Sequence, residues 1–211
     1  MIHLILVSHH PDIARGIAAL AAQMSAAPET IHTAAGIDDA DNPVGTDAVR
    51  IMQTLLEADN PDGILILVDL GSAILSAQTA LDLLDDPALA ARCRISAAPL
   101  VEGAISAAVA ASSGADLETV AREATQALAA KQAALGESAP ASATPVVAPS
   151  GDSTTITLTN RDGLHARPAA RLVAALAPFA ASLTLVKDGQ SADPRSLNQL
   201  TALQARQGDS L

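Results

Sequence analysis

The sequence predicts an α/β protein: a parallel-sheet domain with helices on both faces, linked to a smaller α+β module. Three observations predict the layout. Short runs of branched apolar residues alternate with segments of helical period as far as Ala111; a Pro/Ala/Ser-rich stretch then interrupts the pattern around Pro145; beyond it the order becomes strand, helix, strand.

Ile2 to Val7 is apolar and ends at Ser8-His9-His10-Pro11, the form of a strand buried on both faces. From Asp12 onward, Ile13, Ile17, Leu20, Ala21 and Met24 recur near helical spacing, and Asp12 can cap that helix or favour its positive end. Thr46 and Asp47 precede a second helical pattern, Val49, Ile51, Met52, Leu55 and Leu56, which stops before the turn cluster Asn60-Pro61-Asp62-Gly63. Ile64 to Val68 is a second buried strand, broken by Asp69-Leu70-Gly71-Ser72, and Ile74 to Leu84 is again helical. Arg94 to Ala97 gives a third short strand before Pro99, Val101 to Ala111 a further helix, and Asp116 to Leu135 one long Ala-rich helix. Strands alternating with helices pair in parallel through right-handed crossovers.

Residues 1–135 therefore form the first domain. Residues 136–152, with Pro140, Pro145 and Pro149 among Ala, Ser, Thr and Gly, form a linker, and 153–211 form the second domain. In the second domain Thr154 to Thr159 alternates polar and apolar, Arg167 to Leu176 is helical, and Ser182 to Val186 alternates again before the hairpin signal Asp188-Gly189.

Composition excludes several classes of function. A chain of 211 residues, 49% hydrophobic, with one Phe and no Trp or Tyr, packs its core from Ala, Leu, Ile and Val and offers no base-stacking platform. Its net charge of −11 repels phosphate backbones, so nucleic acid is not an expected partner. The charge is uneven: residues 1–135 hold 6 basic and 17 acidic side chains, whereas 153–211 hold 6 basic and 4 acidic. The single cysteine, Cys93, reads as a small, partly buried side chain; it allows no intrachain disulfide and no thiol cluster for a metal. The apolar start lacks a basic leader and is too short for a signal peptide or span, and no later apolar run reaches about twenty residues. A cytoplasmic protein with no membrane segment is expected.

Ligands of open parallel sheets bind at the carboxyl ends of the strands, where helix N-termini favour anions. His9 falls there, beside Ser8, and the second strand delivers Asp69, Gly71 and Ser72 to the same edge. A carboxylate near an imidazole fixes its tautomer and leaves the other nitrogen as nucleophile, while a glycine lets backbone N–H groups approach a phosphoryl oxygen. Taken alone, a histidine after a strand is also what ordinary loop polarity produces. His3, inside the first strand, reads as structural, His10 beside Pro11 as solvated, and His32 as lacking a partner; adjacent histidines without a third ligand at helical spacing do not make a metal site. No metal or cofactor is expected.

The second domain carries the sharper signal. Asn160-Arg161-Asp162-Gly163-Leu164-His165-Ala166-Arg167-Pro168-Ala169-Ala170 places His165 directly before a helix, with Gly163 easing the turn and Pro168 tolerated in the first helical turn. Unpaired N–H groups near Ala166 and Arg167, together with the Arg167 guanidinium, could cradle a phosphoryl group on the histidine.

That string, with Val173 and Pro194-Arg195-Ser196-Leu197, resembles HPr, the histidine phosphocarrier of the bacterial sugar phosphotransferase system. The resemblance implies phosphorylation of His165 on Nδ1 with help from Arg167. It sets Ser196 at a position that some HPr proteins phosphorylate, although helix capping is its expected use here. The first domain resembles the phosphoryl-donor subunit family of dihydroxyacetone kinases, related to mannose-type IIA domains, through Leu6-Val7-Ser8-His9, Ala35-Gly36-Ile37-Asp38-Asp39, Gly45-Thr46-Asp47-Ala48-Val49, Asp69-Leu70-Gly71-Ser72-Ala73 and Ala98-Pro99-Leu100-Val101-Glu102-Gly103.

This resemblance implies a phosphotransferase relay: phosphoenolpyruvate to enzyme I, to an HPr-type histidine, to His9, and on to ADP held by a partner kinase subunit, while another subunit holds dihydroxyacetone. It also implies a homodimer. HPr domains run to about eighty-five residues by the same resemblance, so the second domain is expected to be truncated at its C-terminus and poorly folded. Two other readings stand beside the relay: a mannose-type sugar-transport component working with a membrane permease, and a regulatory module whose phosphorylation changes its binding and transfers nothing onward.

Overall fold

The computed structural model describes residues 1–39, 41–137 and 152–211, so all but three residues of the expected linker lie outside the described residues. Two compact units are present, Met1–Ala127 and Leu128–Leu211.

The first unit contains β1 (His3–Ser8), α1 (Pro11–Ala22), a short 3₁₀ turn (Pro28–Thr30), β2 (Ile31–Ala35), α2 (Ala48–Glu57), β3 (Ile64–Val68), α3 (Gly71–Asp82), α4 (Pro87–Ala91), β4 (Cys93–Ser96), α5 (Leu100–Ser112) and α6 (Leu117–Gln126). The four strands form one sheet in the order β2-β1-β3-β4. Every pairing is parallel, with Leu6 opposite Thr33 on one side and Leu67 on the other.

Alternation of side chains across the sheet gives the unit two cores. Leu4, Leu6, Leu65 and Leu67 meet Ile17 and Ala21 of α1 and the alanine-rich faces of α5 and α6. Ile5, Val7, Ile64, Ile66 and Val68 meet Ile51 and Leu55 of α2, Ala73, Ala77 and Ala80 of α3, and Leu89 of α4. Helices thus cover both faces, as the buried strand runs predict. Alanine carries much of this packing because it brings helices close to the sheet; a Cβ on Gly103 of α5 would lie 2.8 Å from that of Ala98.

Several elements differ from expectation. The edge strand β2 was not expected, since His32 and Thr33 break its apolar pattern and only Ala34 and Ala35 are buried. Helix α4 is five residues long, too short to show a period, and is started by Asp86, whose carboxylate accepts from the N–H groups of Ala88 and Leu89. The expected helix Asp116–Leu135 is two helices, α6 and α7 (Leu128–Ala134), which separate at Ala127 without a Gly or Pro to announce the break.

The second unit contains α7, α8 (Ala166–Leu176), β5 (Leu185–Lys187), β6 (Gln190–Ala192) and α9 (Leu197–Ala202). Strands β5 and β6 form an antiparallel hairpin whose turn residues Asp188 and Gly189 both have positive φ, 49° and 80°. This is the two-residue turn that Asp-Gly favours. Ala169, Ala170 and Val173 of α8 are buried, as are Leu197 and Leu200 of α9 and Leu203 and Ala205 beyond it. Thr154–Thr159 does not form the expected strand: it makes one antiparallel bridge, Thr157 to Ser210, flanked by reciprocal hydrogen bonds between Ile156 and Leu211. Ile156 is exposed, so the alternation buries no face to fix a longer ladder. Ser196 caps α9 by accepting from the Gln199 N–H, the use expected of it.

Candidate functional site

The chain runs from β1 through α1 to β2 on one side, then returns through α2 to β3 on the other side of β1. Strand order therefore reverses between β1 and β3, and the crevice outside their carboxyl ends is where such sheets bind ligands. His9 leaves β1 at that point, and Asp69 leaves β3.

The two residues meet closely. Asp69 Oδ1 lies 2.8 Å from His9 Nδ1, and Asp69 Oδ2 accepts from the His9 backbone N–H at 2.8 Å and from the Ser8 hydroxyl at 2.9 Å. The Leu70 N–H also donates to Asp69 Oδ1 at 2.6 Å. Burial acts to raise the Asp69 pKa, but these bonds from His9, Leu70 and Ser8 outweigh it and hold the carboxyl below its ordinary value. An ionised carboxylate only accepts, so His9 carries its proton on Nδ1 and presents a lone pair at Nε2. Ser72 Oγ sits 2.5 Å from that Nε2 and donates its hydroxyl proton to it.

Helix α3 begins at Gly71, and the N–H groups of Gly71 and Ser72 belong to the first turn, which has no intrahelical acceptors for them. Apart from its chain neighbours and its own helix, a Cβ on Gly71 would meet no atom within 4 Å, so the glycine next to Ser72 faces open space. His9 is 20% exposed at its side chain and Asp69 15%; the Nδ1–Asp69 bond is part-buried and the Nε2–Ser72 bond exposed, so Nε2 is the edge of the ring nearer solvent. Ser8 is fully buried behind the carboxylate, where it also accepts from the His10 N–H. It acts on Asp69 and does not reach the ring edge. His10, expected to be solvated, caps α1 by accepting at Nδ1 from the Asp12 N–H, a role the sequence had offered to Asp12.

Sequence reasoning missed the segment 36–47, whose motifs were recognisable but whose use was not. The Gly36 N–H donates to Ser8 O and the Gly45 N–H to His9 O at 2.9 Å, so the loop is tied to the backbone on either side of the nucleophile. Gly36 has φ of +72°, and a Cβ there would lie 2.7 Å from both Pro11 Cγ and Pro43 O. Thr46 Oγ1 then hydrogen-bonds Ser76 Oγ of α3 at 2.7 Å, and Asp47 caps α2. The Asp47 cap is local and was signalled by the sequence, but no period or charge pattern could have announced the other contacts, because they join segments distant in sequence.

In the second unit His165 is the N-cap residue of α8, exposed, with no capping hydrogen bond from its side chain. Gly163 has φ of +56°, and a Cβ there would fall 2.1 Å from Ala205 O, so only glycine fits. The Leu164 N–H donates to Ala205 O and the Asn160 side-chain amide to Gly163 O, fixing the turn that carries His165. Arg167 lies in the first turn of α8 and is exposed. The structure thus gathers Ser8, His9, Asp69, Gly71 and Ser72 at one edge, and His165 and Arg167 at one helix start.

Comparison with known proteins agrees with both halves. Residues 3–121 match the family described as the fructose IIA component of the phosphotransferase system, and residues 153–211 match the HPr-component phosphorylation-site family. The whole chain is 49% identical to the phosphoryl donor subunit DhaM of the PEP-dependent dihydroxyacetone kinase of Pantoea ananatis and 44% identical to that of Escherichia coli, covering 46% of each. The chain therefore spans about half the length of these relatives. A shorter relative, the phosphoryl donor subunit DhaM of PEP-dependent dihydroxyacetone kinase 2 from Listeria innocua, is 41% identical over 52% of this chain and 85% of its own. The crystal structure of the unknown-function protein EF1359 covers 59% of this chain and 92% of its own, with a TM-score of 0.51 and 35% identity. The chain belongs to the family of phosphoryl donor subunits of phosphoenolpyruvate-dependent dihydroxyacetone kinases, and its first unit is a phosphotransferase-system IIA domain.

Proposed function

We propose that this chain is a phosphohistidine carrier that takes phosphoryl groups from phosphoenolpyruvate, by way of enzyme I and an HPr-type histidine, onto His9, and passes them to ADP on a partner kinase subunit for phosphorylation of dihydroxyacetone. The observation that supports it most is the His9 ring held by Asp69 at Nδ1 with Nε2 nearer solvent. His9 Nε2 attacks the phosphorus of the donor phosphohistidine, whose ring carries a proton on its other nitrogen and a positive charge; the donor P–N bond breaks, and the donor ring leaves as neutral imidazole. His9 keeps its Nδ1 proton, and the positive charge its ring gains lies against the Asp69 carboxylate. The Ser72 hydroxyl must turn from Nε2 as the new P–N bond forms, and it then donates to a phosphoryl oxygen beside the Gly71 and Ser72 N–H groups. Such transfers need positioning and charge neutralisation more than covalent assistance. Imidazole suits the step because it is both nucleophile and leaving group, so the chain acts as a phosphotransferase by carrying the group.

In this reading His165 with Arg167 is a second carrier site upstream of His9, the protein works as a homodimer in the cytoplasm, and its partners are enzyme I, HPr and the ADP- and dihydroxyacetone-binding subunits. Among the described residues no helix is long and apolar enough to cross a membrane. A sugar-transport IIA role is the second reading, favoured by the description of the matched IIA family.

The test is transfer of label from phosphoenolpyruvate, with enzyme I and HPr supplied, onto wild type, His9→Ala and His165→Ala, followed by a chase with the ADP-loaded kinase subunit and dihydroxyacetone. Label lost from His9 into dihydroxyacetone phosphate, and absent from that position in His9→Ala, is the expected result. Label that stays on His9 through this chase, yet is discharged by a membrane permease complex, would instead support the sugar-transport reading.

A further inference from the structure

The hydroxyl pair Thr46–Ser76 has no part in the chemistry described above, yet it closes a ring of contacts around the nucleophile. The ring can be followed bond by bond. The Gly45 N–H holds the carbonyl of His9 at 2.9 Å, the next residue, Thr46, shares a 2.7 Å hydrogen bond with Ser76, Ser76 stands one helical turn beyond Ser72 on α3, and the Ser72 hydroxyl reaches His9 Nε2 at 2.5 Å. Both Thr46 and Ser76 are half-buried, so water competes only partly for their bond. Gly45 itself is tightly placed: φ is +157°, and a Cβ there would lie 2.8 Å from Ile37 Cγ2. Ile37 is in turn tied to Pro43 through its N–H. The loop that holds the main chain of His9 and the helix that presents Ser72 to its ring are therefore joined by a side-chain hydrogen bond.

We propose that Thr46 and Ser76 are positioning residues for phosphoryl transfer at His9, setting the distance between the imidazole and the N-terminal turn of α3 without touching the phosphoryl group. The proposal rests on His9 as the carrier, and it gives a role to Gly45-Thr46-Asp47, a motif of the sequence that the transfer chemistry leaves unused. Without the bond, the start of α3 is no longer held to Thr46, and the Ser72 hydroxyl loses the placement from which it turns from Nε2 to a phosphoryl oxygen. Small displacements of that kind weaken transfer steeply because the reaction depends on near-attack geometry.

The test uses the whole chain with Thr46→Val, Thr46→Ser, Ser76→Ala and Ser72→Ala, the first three also combined with Ser72→Ala. Two readouts are taken: the single-turnover rate of label arrival on His9, and the nitrogen NMR resonance of His9 Nε2 in the unphosphorylated protein. Thr46→Val and Ser76→Ala should each slow transfer roughly tenfold, the scale of one lost hydrogen bond. Thr46→Ser should restore the rate to within about twofold, because it keeps the hydroxyl. In both slowed variants the Nε2 resonance should move toward its position in Ser72→Ala, and neither change should slow transfer further once Ser72 is alanine. The proposal is overturned if Thr46→Val and Ser76→Ala transfer at the wild-type rate with an unmoved Nε2 resonance, or if they slow transfer as much in the Ser72→Ala background as in wild type. Ser76→Ala, an alanine within a helix, keeps the test open should Thr46→Val fail to fold. If wild type itself takes no label on His9, the carrier reading fails, and the Nε2 resonance still decides whether Thr46 and Ser76 align Ser72 with the ring.

Discussion

Asp69 accepts four hydrogen bonds on one carboxylate, from the ring N–H of His9, the backbone N–H groups of His9 and Leu70, and the hydroxyl of Ser8. Its pKa is lowered because these hydrogen bonds outweigh burial, so the carboxylate opposite the ring N–H stays ionised on modest acidification. Asp69→Asn retains an acceptor but removes the charge opposite the ring as phosphorus arrives. We expect it to slow label transfer onto His9 by roughly 10²-fold or more, measured in single turnover, with little change in fold. A smaller loss would mean that ring orientation matters and the charge does not. At this scale much of the candidate site was legible in the sequence, since His9, Asp69 and Ser72 stand at strand and helix ends where ligand chemistry is expected. What was not legible was which atom each side chain would meet: Ser8 turned behind the carboxylate and His10 became a helix cap. Cys93 agrees with its plain reading. Burial raises its thiol to about 11, and it donates to Leu89 O.

Elements were readable where burial imposes a period, and missed where it does not. Strands β1 and β3 are buried from both sides and appear as unbroken apolar runs, whereas β2 lies at the sheet edge and carries polar residues that hide it. That edge holds a feature with its own consequence. His32 of β2, expected to lack a partner, stacks on His3 of β1 with ring centroids 5.1 Å apart and a 3.1 Å contact between His32 Nε2 and His3 Nδ1. Both pKa values are lowered. For His3 burial acts first and the N-terminal ammonium second, against Glu29; for His32 burial acts first and His3 second, against Glu57. The folded state therefore prefers both rings neutral. Stability from the pair is complete above the unfolded value of about 6.5 and is lost as pH falls through it toward the lower folded values, where the unfolded chain binds more protons. His32→Gln should flatten this part of the profile. Thermal unfolding of wild type and variant between pH 7.5 and pH 5 checks it, and parallel profiles would show that the pair does not couple to folding.

For the whole molecule, the two units have separate cores and opposite formal charge, and each brings its own histidine to the start of a helix. Both histidine turns depend on backbone that only glycine can supply, but the glycines answer to different neighbours: Gly36 to Pro11 and Pro43 in the first unit, Gly163 to Ala205 in the second. The change of period across the Pro-rich stretch put the expected boundary after residue 135, whereas the compact units divide after Ala127 and α7 falls in the second. The contact of Gly163 with Ala205 was not legible in the sequence, because it joins segments some forty residues apart. Gly163→Ala must move Ala205 or abandon the left-handed backbone, a change expected to destabilise the second unit by roughly 2 kcal/mol or more. Because the cores are distinct, that loss should remain in the second unit. Amide NMR should show the second unit's resonances shifting or broadening, with His165 losing its capacity for label, while resonances of β1, β3 and α3 keep their positions and His9 still accepts phosphoryl from separate HPr. If the resonances of the first unit move as well, or His9 loses label in step with His165, the two units fold or act as one body and the carrier sites are not independent.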